Sequence, residues 1–271
     1  MLGLWLVLGF VAFFFVYPIA QVLLLSVTDA GGHFSLATYG DVLASVSTQQ
    51  VLLQTIKTSL LVSLVCLVVG YPAACVLARL EGWKATLCNV LMLFPFLSSS
   101  LVRTFVFIVL LGRRGAVNRL LEYIHVPGAP VQLLFNEAGV VIGMSYVLLP
   151  YMLLSLVGSM KRIDRSLLDA ALSLGARRVT VFATVYVPLS LPGVVAGTVI
   201  TTILGFGYFV TPALMGGPSQ TMIAQLVEQQ VAVTYNLSGA AALAVVMLAV
   251  VGVAYAVASR WLGLARLMSV H

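Results

Sequence analysis

The stretch Lys161-Arg162-Ile163-Asp164-Arg165-Ser166-Leu167-Leu168-Asp169-Ala170-Ala171-Leu172-Ser173-Leu174-Gly175-Ala176-Arg177-Arg178 gathers seven charged residues between two runs, 138–160 and 179–227, that have none. Read alone, it is a short amphipathic helix followed by a stop. Ser166 followed by Asp169 fits a capping box, which satisfies backbone N–H groups left free in a first helical turn. Leu168, Ala171, Leu172 and Gly175 repeat at i, i+3, i+4 and i+7, so they share one face. Gly175 suits the left-handed residue that ends a helix. A helix over about residues 166–176 is therefore expected, lying at a membrane surface between two spans.

The membrane follows from the rest of the chain. Of 271 residues, 61% are hydrophobic and 8% are charged, against about 25% charged in an ordinary soluble domain. A soluble fold of this size lacks the side chains to cover its own surface. Six stretches meet the requirement of about 20 mostly apolar residues for a spanning helix: 3–28, 57–79, 85–112, 138–160, 183–211 and 237–261. The segment Thr211–Ser219 is rich in turn residues and reads as a loop. Thr221–Tyr235 carries Gln225, Glu228, Gln229 and Gln230 and reads as a segment at the interface. The expected fold is an all-α bundle of six transmembrane helices, with residues 1–271 forming a single transmembrane domain.

Basic residues set the orientation. The loops at one side hold Arg79, Lys84, Lys161, Arg162, Arg165, Arg177, Arg178, Arg260 and Arg266, with Glu81, Asp164 and Asp169 as acids. The other side holds Lys57, Arg113, Arg114 and Arg119, against Asp29, Asp41, Glu122, Glu137 and Glu228. Nine basic residues against four place the first side, and both termini, in the cytoplasm. Met1 to Thr28 has no charge, so the basic region of a signal peptide is missing and a retained span is expected.

Several classes of function lose support. The basic residues form no stripe of the kind that tracks phosphates, so nucleic acid is not an expected partner. Cys66, Cys75 and Cys88 form no CxxC pair, and His33, His125 and His271 are scattered, so no metal site is expected. HExxH and GxSxG are absent, and with them the usual signs of a hydrolase. No GxxxxGK[ST] phosphate loop is present, so the chain does not hold ATP in the usual way. An ion-coupled secondary transporter normally places ionisable groups near the midplane, and here only Arg103 lies well inside a span.

Spacing adds a resemblance. Asp169-Ala170-Ala171, three residues, Gly175, nine residues, then Val185-Tyr186-Val187-Pro188 resembles the EAA loop of ABC-importer permeases. That loop reads Glu-Ala-Ala, three residues, Gly, nine residues, Ile-x-Leu-Pro. Asp replaces Glu here and valines replace Ile and Leu, but every spacing is kept. The resemblance implies a type I ABC importer permease with a cytoplasmic coupling helix in a loop of about residues 161–180. It assigns ATPase coupling to Asp169, Ala170, Ala171, Leu172, Gly175 and Pro188. It also implies a bacterial inner-membrane subunit that is not itself an enzyme, with ATP and Mg bound by a dimer of partner ATP-binding subunits. A second related permease and an extracytoplasmic solute-binding protein are the other implied partners.

Further stretches are similar to the spermidine/putrescine importer permeases: Ser98-Ser99-Ser100-Leu101-Val102-Arg103, Leu110-Leu111-Gly112, and Gly205-Phe206-Gly207-Tyr208-Phe209-Val210-Thr211-Pro212-Ala213-Leu214-Met215-Gly216-Gly217. A polyamine is the expected solute, and another small solute is the alternative. Aromatic faces attract cations, which makes Phe206, Tyr208 and Phe209 candidates for the translocation pathway, although an aromatic near an interface is also an ordinary anchor. Arg103 is the fourth candidate. A charge inside a span faces a cavity or a partner; the structural reading is that it snorkels outward or pairs with an acid such as Glu137.

Overall fold

A computed structural model describes residues 2–28 and 33–261. Asp29, Arg266 and His271 lie outside the described residues. In chain order the helices are α1 (Leu2–Val11), α2 (Tyr17–Ser26), α3 (Ala37–Ala44), α4 (Val46–Leu77), α5 (Gly82–Leu97), α6 (Ser100–Leu111) and α7 (Ala116–Tyr123). They continue as α8 (Glu137–Met160), α9 (Arg165–Ser173), α10 (Arg178–Val181), α11 (Val187–Phe206), α12 (Val210–Met215), α13 (Ile223–Ala232) and α14 (Leu237–Trp261). Among the described residues, five helical runs are long and apolar enough to cross a bilayer: Gly9–Ser26, Val46–Leu77, Glu137–Met160, Arg178–Phe206 and Leu237–Ala256.

The expected third span, 85–112, is not one straight helix. Its place is taken by α5 and the run Ser100–Tyr123, which meet at a 99° bend. Pro95 removes a backbone donor from the end of α5. The following serine hydroxyls compete with the helix ladder for backbone groups, and Ser98 Oγ donates to the Pro95 carbonyl at 3.1 Å. Both Ser98 and Ser99 then adopt extended ψ angles. The second span also differs, because α4 starts at Val46 and places Lys57 inside the helix. There Lys57 Nζ pairs with Glu137 Oε2 at 2.7 Å. The segment Thr211–Ser219 is partly helical rather than a loop. Pro212 falls in the first turn of α12, where no N–H is needed, and a 3-10 turn follows at Pro218–Gln220. Ten-residue α13 is too short to span.

Helices α4, α8 and α11 pack against one another and form the core. Along α8, Val140, Met144, Leu148, Met152, Leu156 and Met160 recur every fourth residue and are all buried. Helix α11 brings small buried residues to both neighbours at the same interval: a Cβ at Gly193 or Gly197 would meet Ser159, Ser155 or Met152 of α8, whereas Thr201 bonds Ser63 and Gly205 packs on Ser59 of α4. A lipid-dissolved bundle gains nothing from burying apolar groups against apolar groups, so close backbone approach and hydrogen bonding hold it together. Ser63 on α4 shares a 2.7 Å hydrogen bond with Thr201, and Tyr71 shares one of 2.8 Å with Ser190. Outside the core, α2, α5, α6 and α14 present exposed large apolar side chains, the surface a bilayer or a membrane partner covers.

A Cβ at position 193 would lie 2.5 Å from Ser159 Cβ, whereas one at 158 meets nothing within 4 Å. We expect Gly193→Val to lower stability in detergent by about 1–3 kcal/mol through overpacking, read as a drop in thermal unfolding temperature. Gly158→Ala is the control and should leave that temperature unchanged.

Candidate functional site

Two places combine polar chemistry with a break in regular structure. The first is α9 and its surroundings. Its N-cap is Asp164, not Ser166: the Asp164 carboxylate accepts from the Ser166 backbone N–H at 2.9 Å. An aspartate one residue ahead of the helix already meets the free donors, which leaves Ser166 inside the first turn. Hydrogen bonds from the Ser166 backbone and then its side chain hold the Asp164 carboxyl below its usual range. The other end is as expected. Gly175 has φ +84, its N–H reaches Leu172 O, and Ala176 N–H reaches Ala171 O. These two bonds form the Schellman arrangement.

Helix α9 rests on the bundle through Ile163 and Leu168, which pack against the core, and through half-buried Ala171. Asp169, Ala170, Leu172, Ser173 and Leu174 are exposed, with Leu174 at 89%. The expected apolar face is therefore split: Leu168 and Ala171 turn inward, while Leu167, Leu172 and Leu174 remain uncovered. Two crevices, of about 470 and 260 Å³, run beneath the helix.

From Gly175 the chain passes through α10 into a π-helical turn at Phe182–Tyr186. Pro188 explains that turn. It has no N–H to close the next i−4 bond, and Val187 N–H instead reaches five residues back to Phe182 O. The other π turn among the described residues, Ala12–Val16, likewise ends two residues before a proline, Pro18. The wider turn places Phe182 against Tyr186, with ring centroids 5.6 Å apart, and edge-on to Tyr71 of α4. Pro188 thus shapes the joint between the α9 loop and α11.

The second place is where two helix breaks meet. Helix α11 ends at Phe206, and Gly207, Tyr208 and Phe209 lead irregularly into α12. Ser100, just beyond the α5/α6 bend, shares a 3.2 Å hydrogen bond with Tyr208 Oη. Thr104, one turn later, lies 3.4 Å from the Thr211 hydroxyl. Phe206 is buried, Tyr208 half-buried and Phe209 exposed, so the three aromatics do not form one surface. Arg103 lies between the two contact residues of α6. Its Nε is buried without a hydrogen-bond partner. The expected pairing with Glu137 is not found, because Glu137 is held by Lys57. Discontinuous helices lining a polar spot are a common way to build a solute path through a membrane.

Residues 67–265 match the family described as "Binding-protein-dependent transport system inner membrane component". The chain belongs to that family. The matched region holds both places just described. Among relatives, the spermidine/putrescine transport system permease protein PotB of Escherichia coli (strain K12) is 34% identical over 181 residues, covering 67% of this chain and 66% of that protein. PotB of Haemophilus influenzae is 31% identical over 187 residues, with 69% and 65% covered. The molybdenum transport system permease protein ModB of Mycobacterium tuberculosis is 33% identical over 174 residues, with 64% of each covered. The chain therefore spans just under two thirds of the length of these relatives. A subunit from a bacterial alginate ABC transporter, crystallised in complex with an alginate pentasaccharide-bound periplasmic protein, superposes with a TM-score of 0.78 at 14% identity. That superposition covers 95% of this chain and 91% of that one. The fold is that of an inner-membrane, multi-pass importer permease.

Sequence reasoning missed three features. The four-residue repeat of small residues at 193, 197, 201 and 205 was readable as a close-packing signal. Pro188 as the cause of a π turn was readable in part. The position of Arg79 under α9 had no local signal, because the two lie about 90 residues apart in sequence.

A depressed carboxyl pKa stabilises the fold above the ordinary carboxylate range, and that contribution is lost as pH falls through the lowered value. We expect amide exchange in α9, corrected for its intrinsic pH dependence, to accelerate as Asp164 is protonated. Asp164→Ala should exchange fast at neutral pH and lose this dependence; identical exchange in both proteins would remove Asp164 as the cap.

Proposed function

We propose that the chain is one half of the translocation pathway of an ATP-driven, binding-protein-dependent importer, and that its solute is a polyamine of the spermidine/putrescine class. The carrying observation is α9. It is a capped helix that ends on Gly175, joins two core helices, and leaves Ala170, Ser173 and Leu174 uncovered. A rigid helix of this kind can be gripped from outside and can pass a rigid-body movement to α8 and α11. ATP and Mg bind to a dimer of separate ATP-binding subunits, and α9, from Asp169 to Gly175, docks on one of them. Pro188 shapes the flexible joint behind it. Residues 1–271 act as one transmembrane domain, with α9 and both termini on the cytoplasmic side. A second related permease completes the path, and a solute-binding protein delivers the solute at the opposite side.

Support for the polyamine comes from the PotB relatives and from Tyr208 and Phe209, which offer aromatic faces at the junction of the broken helices. Arg103 favours a second reading. A guanidinium whose buried Nε has no hydrogen-bond partner suits a gate or a ligand for an anionic group, and ModB is a relative named for molybdenum transport.

Cells expressing the whole transporter separate these readings. We expect uptake of labelled spermidine or putrescine that needs ATP and follows this gene; uptake of molybdate alone would select the anionic reading. Arg103→Ala should then change transport rate or solute range if Arg103 lines the path, and leave both intact if it is structural. Gly175→Val forces a β-branched side chain into a left-handed backbone, at a cost of about 1–2 kcal/mol. It should abolish uptake while ATP hydrolysis and membrane insertion persist, and so should Asp169→Lys. Unchanged uptake in both would count against α9 as the docking helix.

A further inference from the structure

Lys57 Nζ donates to Glu137 Oε2 at 2.7 Å and so joins α4 to the first turn of α8. The two partners are unlike. The Lys57 side chain is 61% exposed and that of Glu137 is 31% exposed. An exposed lysine on a long flexible stem is held weakly by an ion pair, because water and side-chain entropy oppose it. The second carboxylate oxygen, Oε1, is buried and meets no hydrogen-bond donor among the described residues. A carboxylate can accept about four hydrogen bonds, and a buried acceptor without a donor is unfavourable until one reaches it. Glu137 therefore has one loosely held donor and an unmet demand for another.

The surrounding contacts connect Glu137 to the junction of the broken helices. Phe135, two residues before it, donates its N–H to Met215 O at 2.9 Å. Met215 ends α12, and α12 starts at Val210, directly after Phe209. The six residues of α12, at 1.5 Å each, put about 9 Å between the aromatic end and the Glu137 end. On α4, Thr55 lies two residues before Lys57 and accepts the Ile223 N–H at 2.9 Å, which fixes α13 to the same corner. The other acids described on this side, Asp41, Glu122 and Glu228, are all exposed; Glu137 is the half-buried one.

The ammonium of Lys57 is the same chemical group that ends a polyamine. We propose that Glu137 receives one ammonium of the incoming polyamine, and that Lys57 is a tethered occupant which the solute displaces. The methylene chain then extends inward towards Tyr208 and Phe209, whose faces attract a second cation. Between transport events Lys57 keeps the carboxylate neutralised. This inference rests on the polyamine reading given above.

Two shape-conserving variants of the assembled transporter test it. Glu137→Gln should lower spermidine uptake at least about tenfold, the loss of one charge-assisted hydrogen bond. Lys57→Met removes the competitor and should leave uptake within about threefold of the original. A purely structural pair predicts equal losses in both variants and recovery in the exchanged pair Lys57→Glu/Glu137→Lys; either result overturns the proposal, as does full uptake by Glu137→Gln. Direct binding of labelled spermidine to the complex in nanodiscs, without the solute-binding protein, gives a second readout. Lys57→Met should tighten it about threefold, because the site is no longer occupied for part of the time. Unchanged or weaker binding overturns the proposal even if Glu137→Gln fails to assemble. If the unaltered transporter neither takes up nor binds spermidine or putrescine, it is the polyamine reading that fails, before any variant is made.

Discussion

Hydrocarbon offers no water to a broken helix, so every interruption inside a span must be satisfied by the protein itself. The architecture follows from this constraint. Helices α4, α8 and α11 run unbroken through the middle of the fold, and small residues spaced every four along α11 meet Met152, Ser155 and Ser159 of α8 and Ser59 and Ser63 of α4. Interruptions are confined to a few positions, and each has a local cause. Pro95 and three serines make the α5/α6 bend, Gly207 ends α11, and Pro18 and Pro188 each follow a π turn. Hydroxyls at these breaks find partners close by: Ser98 donates to the Pro95 carbonyl, Ser100 pairs with Tyr208 and Thr104 with Thr211.

The same constraint separates two kinds of polar residue. Ser63 and Thr201 are spent on holding helices together, and replacing them would weaken the bundle. Arg103 has a buried nitrogen that no protein group satisfies, at the point where two discontinuous helices meet. Lys57 pairs with Glu137 Oε2 at the end of the core that lies away from α9, leaving Glu137 Oε1 buried without a partner. The bundle is thus tied at one end by an ion pair between α4 and α8, while at the other end the opposite charges of Arg79 and Asp169 face open crevices.

Much of this was legible in the sequence, for reasons that are local. The apolar runs mark spans because a bilayer demands about 20 such residues. Gly175 marks the end of α9 because only a residue without Cβ adopts φ +84 freely. The errors have equally definite causes. Ser166 looked like the cap because the capping-box spacing is satisfied there, but Asp164, two residues earlier, takes the role through its own carboxylate. Residues 85–112 looked like one span because hydropathy counts apolar side chains and takes no account of a missing backbone donor at Pro95. Glu137 looked free to meet Arg103 because Lys57 was assigned to a loop, whereas α4 extends far enough to bring it to Glu137. Tertiary neighbours such as Arg79 and Asp169 leave no trace in a local pattern at all.

The central claim is that α9 is the surface on which a separate ATP-hydrolysing subunit acts. Site-specific cross-linking from the uncovered side of α9 tests it most directly. A photo-reactive residue at Ser173 or Leu174, activated in native membranes, should capture an ATP-binding protein, and mass spectrometry should identify its attachment to α9. A probe at Glu228, on α13, should not. Capture of that ATP-binding protein from Glu228 but not from α9, or no capture from α9 in membranes that sustain uptake, would contradict the account.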